Sequence, residues 1–181
     1  LRQWQARVEL VRITTGNKDW PEVSDEQLLA SMDDWLAPYL EPINLLSHFK
    51  KLDLKSILSA LLTWEQNQQL NVLAPQRFQL PSGSSYTLDY TTTPPVLAVK
   101  LQEMFGCVDT PAVVSGQVPL TVHLLSPAGR PLQVTQDLAG FWATSYHDVR
   151  KEMLGRYPKH PWPEDPQNAV PTKRTKPRGK N

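Results

Sequence analysis

Arg150, Lys151, Arg156, Lys159 and His160 crowd the stretch that ends at Trp162, with Tyr157 and Trp162 set among them. Cations hold phosphates and flat rings stack on unpaired bases, so this mixture is what a single-stranded nucleic acid requires. Arg130, at the tip of a turn from Ser126 to Pro131, offers a further phosphate contact. A purely structural role for the same residues is also open. Tyr157 and Trp162 would then pack a proline-rich segment onto the domain, with Arg156 paired to Glu152 or Asp165.

The other chemistry-bearing residues do not assemble into a catalytic pattern. There is no GxxxxGKS/T loop and no GxGxxG, so no nucleotide site is expected. Cys107 stands alone, and His48, His123, His147 and His160 have no HExxH or CxxC context, so no metal is expected. Ser82-Gly83-Ser84 lacks the strand-turn-helix setting of a nucleophile elbow and reads as a turn. His147 and Asp148 are neighbours on a helix and project in different directions. Asp33 and Asp34 have no third ligand nearby and read as a solvated helix face. An independent enzyme requires a pocket that gathers His147, His123 and an acid. The expectation is a chain with no catalytic residue and no cofactor of its own.

The elements that position the basic segment follow from its flanks. Leu124-Leu125 and Leu132–Thr135 are strands around the Ser126–Pro131 reversal. Asp137 caps a helix with apolar positions Leu138, Phe141, Trp142, Tyr146, Val149 and Met153, which Gly155 ends. Arg156–Pro163 carries three prolines and must run extended along a surface.

The N-terminal part reads as helical to about residue 72. Leu1, Trp4, Val8 and Val11 share one face, with Arg2, Arg7, Glu9 and Arg12 elsewhere. This helix starts without a capping residue, which suggests a piece of a longer protein. Ser24 caps a helix from Asp25 to Ala37, with a face of Leu28, Leu29, Met32, Trp35 and Leu36. Pro42–Phe49 forms a short helix. Asp53 caps another, with Leu54, Ile57, Leu58, Leu61, Leu62 and Trp64 facing the core.

From residue 73 to 164 the texture is mixed. Arg77–Leu80 and Ser85–Tyr90 form a hairpin around Pro-Ser-Gly. Pro94-Pro95 starts a helix that runs to Gly106. Ala112–Val114 and Pro119–Leu125 are strands. The fold class is therefore α+β: a helical part, then a small, mostly antiparallel sheet or partial barrel with two packed helices. Five short strands over 75–135 could close as an OB-like barrel.

A chain of 181 residues, 40% hydrophobic and with six tryptophans, is expected to fold. One cysteine and no signal-peptide pattern point to a reducing, cytoplasmic setting. No apolar run is long enough to span a bilayer, so no membrane partner is expected. The net charge of +1 is unevenly spread: Lys173, Arg174, Lys176, Arg178 and Lys180 against Asp165 put +4 on residues 165–181, which leaves −3 on the rest. A basic end without apolar periodicity is expected to be flexible and to touch nucleic acid weakly.

At the level of residue strings, the chain resembles the C-terminal region of the HrpB family, bacterial ATP-dependent helicases of the DEAH-box class. The strings are Leu124–Thr135 (LLSPAGRPLQVT), Asp137–Trp142 (DLAGFW) and above all Gly155–Pro166 (GRYPKHPWPEDP), with Leu80–Ser84, Asp89-Tyr90 and Pro95–Gly106 in agreement. The resemblance covers nearly the whole chain. It implies a parent RNA helicase that hydrolyses ATP with Mg, whose two motor domains are absent here. The implied partners are those motor domains, in the same chain, and single-stranded RNA or DNA. Two roles stay open: helping the motor engage nucleic acid, or a protein-interaction module docking on the motor or another protein.

Overall fold

The computed structural model describes residues 1–40 and 52–176. The helix expected over Pro42–Phe49, with His48, and the cations Arg178 and Lys180 lie outside the described residues. Two compact units make up the chain, Leu1–Pro75 and Gln76–Asn181.

In the first unit, helix α1 (Arg2–Thr15) buries Trp4, Val8 and Val11 on its apolar face. It ends at Gly16, whose φ of 63° lets its N–H reach the Arg12 carbonyl. Arg7, expected on the polar side, is buried on that helix as well. The expected Asp25–Ala37 helix is instead three short ones, α2 (Asp25–Ala30), α3 (Met32–Trp35) and α4 (Ala37–Leu40). The first break sits at Ser31, whose hydroxyl donates to the Gln27 carbonyl at 2.8 Å. Such a bond competes with the helical ladder. Pro38 has no N–H to continue a helix from Trp35, but it fits the first turn of the next. The predicted apolar face is correspondingly incomplete, with Leu29 70% exposed.

Asp53 caps α5 (Leu54–Ser59) through the Ser56 N–H, as its position predicts. A fresh helix, α6 (Trp64–Leu73), then starts from a capping box in which Thr63 and Gln66 bond each other's backbone N–H. That restart turns Trp64 outward, 72% exposed, so it does not face the core, while Leu62 and Leu70 are buried.

The second unit is built on a five-stranded sheet in the order β1-β2-β3-β6-β7. The β1 (Arg77–Gln79) and β2 (Ser85–Asp89) hairpin is antiparallel, as are β2/β3 and β6/β7. Strand β3 (Val96–Lys100) runs parallel to β6 (Thr121–Leu125), and a small β4 (Ala112–Val113) and β5 (Val118–Pro119) ladder lies in the crossover. β1 and β7 (Pro131–Thr135) are the outer strands, so the sheet is open and the OB-like closure is not what forms.

β3 overturns the helix expected over Pro95–Gly106. Val96–Leu101 has no polar residue before Lys100 to reveal its period. In the fold it alternates, with Leu97 and Val99 fully buried and Ala98 exposed. Only one short 3-10 turn follows, Leu101–Met104, and all four of its residues are buried.

The single helix expected after Asp137 is likewise two. Asp137 caps α7 (Leu138–Ala143) by accepting from the Gly140 N–H at 2.8 Å. A Cβ at Gly140 would lie 2.2 Å from the Asp137 carboxylate, so that position must stay a glycine for the cap to fit. The Thr144 hydroxyl then donates to the Gly140 carbonyl, and α8 (Tyr146–Arg156) restarts after Ser145. Gly155 lies inside α8 rather than ending it. The periodic apolar set still forms the core: Leu138, Phe141, Trp142, Tyr146 and Met153 are all buried.

Candidate nucleic-acid interface

Helix α8 and the segment after it carry seven of the eight candidate residues, and the fold divides them by role. Trp162 is 4% exposed and cannot stack on a base. Its indole N–H donates to the Tyr157 carbonyl at 3.0 Å, which closes the Tyr157–Trp162 loop on itself. Arg150 holds that loop down: its Nε donates to the Trp162 carbonyl at 2.9 Å and its Nη2 reaches Glu164 at 3.3 Å. The Tyr146 hydroxyl adds a bond to the Pro163 carbonyl at 2.7 Å. Arg156 pairs with Glu152 one turn back at 3.2 Å, an exposed pair worth only a few tenths of a kcal/mol. Tyr157 is half-buried and meets the His160 ring edge-on, with centroids 6.2 Å apart. Of these groups, Trp162 and Arg150 are structural, which corrects their placement among the nucleic-acid contacts.

Arg130, Lys151 and Lys159 are exposed, and among the described residues no carboxylate pairs with them. The Arg130 turn is built by the Ser126 N–H bonding the Arg130 carbonyl at 2.8 Å and by Gly129 at φ 80°. Burial, with the Lys100 charge beside it, holds the His160 imidazole below its ordinary range, so at neutral pH it is an uncharged ring and not a cation.

Three groups near this segment had no signal in the sequence. Lys100 sits at the end of a strand read as helix. The basic end, expected to be flexible from residue 165, is laid against the domain: Gly106 N–H donates to the Pro166 carbonyl at 2.9 Å, Thr172 N–H to Gln102 at 3.0 Å, and Lys176 N–H to Lys159 at 2.7 Å. Glu103 is 2% exposed, and its carboxylate accepts from the Tyr86 hydroxyl at 2.5 Å and from Ser82 at 3.0 Å. Ser82 thus serves a buried carboxylate and not a nucleophile site.

This Glu103–Tyr86 pair gives stability a definite pH dependence. Burial alone would raise the Glu103 pKa, but the hydroxyls of the Ser82–Tyr86 turn and the Lys173 charge outweigh it and hold the pKa below the usual carboxylate value. Burial, followed by the bond to Glu103, pushes the Tyr86 phenol up to about 12. A depressed carboxylate adds stability above its unfolded pKa and loses it as pH falls; a raised phenol adds stability below its unfolded pKa and loses it as pH rises. Glu103→Gln is expected to cost about 1–2 kcal/mol at about pH 7. In urea unfolding across pH, that gap should close as pH drops below the model-peptide value of 4.5. A gap that stays constant would mean the carboxylate charge is irrelevant. Tyr86→Phe should remove part of the stability loss between 10.0 and about 12.

Cys107 is half-buried, and burial raises its thiol pKa, which disfavours a reactive thiolate. Among the described residues no group of three His, Cys, Asp or Glu is arranged to hold a metal, and no helix is long and apolar enough to cross a membrane.

Comparison with known proteins agrees with the residue strings. The ATP-dependent helicase C-terminal family, HrpB_C, matches residues 35–166. The chain is 45% identical to the ATP-dependent RNA helicase HrpB of Escherichia coli K12, over 96% of its own length and 22% of that protein. Its fold superposes on the crystal structure of the E. coli DExH-box NTPase HrpB with a TM-score of 0.89, again at 45% identity over 96% of this chain and 22% of that one. A second crystal structure, of the E. coli DEAH/RHA helicase HrpB, gives a TM-score of 0.73 at 42% identity, covering 88% of this chain and 20% of that one. This chain thus spans about a fifth of the relatives it matches. On sequence and on fold together, it belongs to the HrpB family of ATP-dependent helicase C-terminal domains.

Proposed function

We propose that this chain is a non-catalytic accessory domain of an ATP-dependent RNA helicase, and that it helps the motor domains engage single-stranded nucleic acid through phosphate contacts. ATP and Mg belong to the motor, which the matched relatives carry in the rest of their length. The observation that carries this reading is the exposure of Arg130, Lys151 and Lys159 while the neighbouring rings are packed away. Contacts of that kind hold a backbone and leave the bases unread. Titrating fluorescent single-stranded RNA with the chain should show binding at low salt that weakens about tenfold between about 50 and 200 mM. No binding at low salt, or binding indifferent to salt, rules the reading out.

A second reading, a protein-docking module, draws on an apolar groove of about 400 Å³ in the first unit, lined by Leu1, Leu28, Leu29, Trp35, Leu54 and Leu58. Under it, the salt titration fails while Leu29→Asp disrupts helicase function.

A further inference from the structure

We propose that Lys100, Lys159, Lys173, Arg174 and Lys176 form one continuous surface that grips the phosphodiester backbone of a single-stranded nucleic acid without reading its bases. The proposal rests on the accessory-domain reading above and states where on the domain it operates.

Three segments distant in sequence build this surface: the end of β3, the loop around Lys159, and the basic end of the chain. Gln102 is the hinge of the arrangement. Its carbonyl accepts from the Thr172 N–H at 3.0 Å, and its side-chain amide donates to the Pro161 carbonyl at 3.3 Å. Gln102 is itself 2% exposed, so both segments are fixed to a buried residue. Further along, the Lys176 N–H bonds the Lys159 carbonyl at 2.7 Å and brings the two lysines side by side. The chain crosses close over Gly106, where a Cβ would lie 3.0 Å from the Ala169 carbonyl. Only glycine suits that position, since its φ is also +78°.

The charges are near one another as well as the backbones. The Lys100 charge acts on the His160 ring, and the Lys173 charge acts on Glu103. Glu103 does not draw these lysines into ordinary ion pairs: it is buried, with its oxygens turned to Tyr86 and Ser82. Lys159, Lys173, Arg174 and Lys176 are all exposed. With Trp162 buried and Tyr157 edge-on to His160, no free ring accompanies them, so the surface suits phosphates and not bases. Its cations follow the path of a chain segment and do not close a pocket, which favours a linear polyanion.

The test uses the 181-residue chain, a fluorescein-labelled single-stranded RNA of mixed sequence, and three double variants of equal charge change. Lys100→Ala with Lys159→Ala removes cations of the body. Lys173→Ala with Lys176→Ala removes cations of the chain end. Lys18→Ala with Lys55→Ala, two exposed lysines of the first unit, controls for net charge. Each of the first two pairs should weaken binding about tenfold and lower the salt slope by about 2, about 1 for each lost phosphate contact, while the control changes affinity less than about twofold. If only the chain-end pair matters, the cations act from a free tail and the surface is overturned. If neither pair matters although the unaltered chain binds RNA, this proposal fails alone and the accessory reading stands. If the unaltered chain does not bind RNA, both fall. Polyglutamate competing as well as RNA at equal charge would point to an acidic protein partner and also overturn the proposal.

Discussion

Tyr146→Ala is expected to cost about 3–5 kcal/mol, enough to unfold much of a domain whose total stability is about 5–15 kcal/mol. The ring is fully buried at the meeting point of Phe105, Phe141 and Trp142, with centroids 6.2, 6.2 and 5.3 Å away. All three contacts are close to edge-on, the arrangement in which a positive ring edge meets a negative face. Removing the ring leaves a cavity that four aromatic walls cannot collapse to fill. Tyr146→Phe separates the ring from its hydroxyl. It keeps the packing and loses only the bond to the Pro163 carbonyl, so about 1–2 kcal/mol is expected. Urea unfolding followed by circular dichroism checks both, as midpoint shifts at unchanged slope. Should Tyr146→Phe prove as costly as Tyr146→Ala, the hydroxyl and not the aromatic cluster would be the dominant tie.

Because that hydroxyl reaches Pro163, Tyr146 links the core to the segment that carries Lys159. The Tyr146→Phe chain should therefore stay folded yet hold the Tyr157–Trp162 loop more loosely. Core packing and the proposed phosphate surface are coupled through this one residue.

What could be read from the residues alone was whatever is decided locally. Asp53, Asp137 and Ser24 cap helices because a short side-chain oxygen two or three residues before a free N–H suffices. The Pro-Ser-Gly turn and the Ser126–Pro131 reversal form for equally local reasons. Val96–Lys100 was unreadable because its partner lies elsewhere: Val96 pairs with Thr121 in a parallel ladder across a long crossover. The breaks at Ser31 and Thr144 depend on which rotamer a hydroxyl adopts, and hydrophobic periodicity carries no information about that. At the candidate site the cations were legible as cations. Whether Trp162 faces water was not, since its burial depends on Arg150 and Tyr146 folding the loop inward. The docked basic end was the least legible part, because the Gly106–Pro166 bond joins residues that no pattern connects.

Arg7 offers the second large effect, in the helical unit. It is 3% exposed on α1, and its Nε donates to the Ala74 carbonyl at 2.6 Å. Its Nη2 reaches the Leu70 carbonyl at 3.4 Å and the Asn71 side chain at 2.9 Å. These acceptors are the C-terminal end of α6, where helical carbonyls run out of partners and the macrodipole is negative. Burying a guanidinium is costly, and replacing a buried ion pair by apolar residues is often neutral because both charges leave together. That compensation fails for Arg7, since the backbone carbonyls it serves remain when the side chain is changed. Arg7→Met, which keeps the volume of the aliphatic stem, is therefore expected to lose about 2–4 kcal/mol. Arg7→Lys should recover less than half of that, because one ammonium cannot span acceptors set out for a planar fork. Thermal or urea unfolding of the three chains decides it. If Arg7→Met is as stable as the original, the end of α6 finds other donors and the guanidinium is dispensable. If Arg7→Lys restores full stability, charge at the helix terminus is what matters and the fork geometry is not.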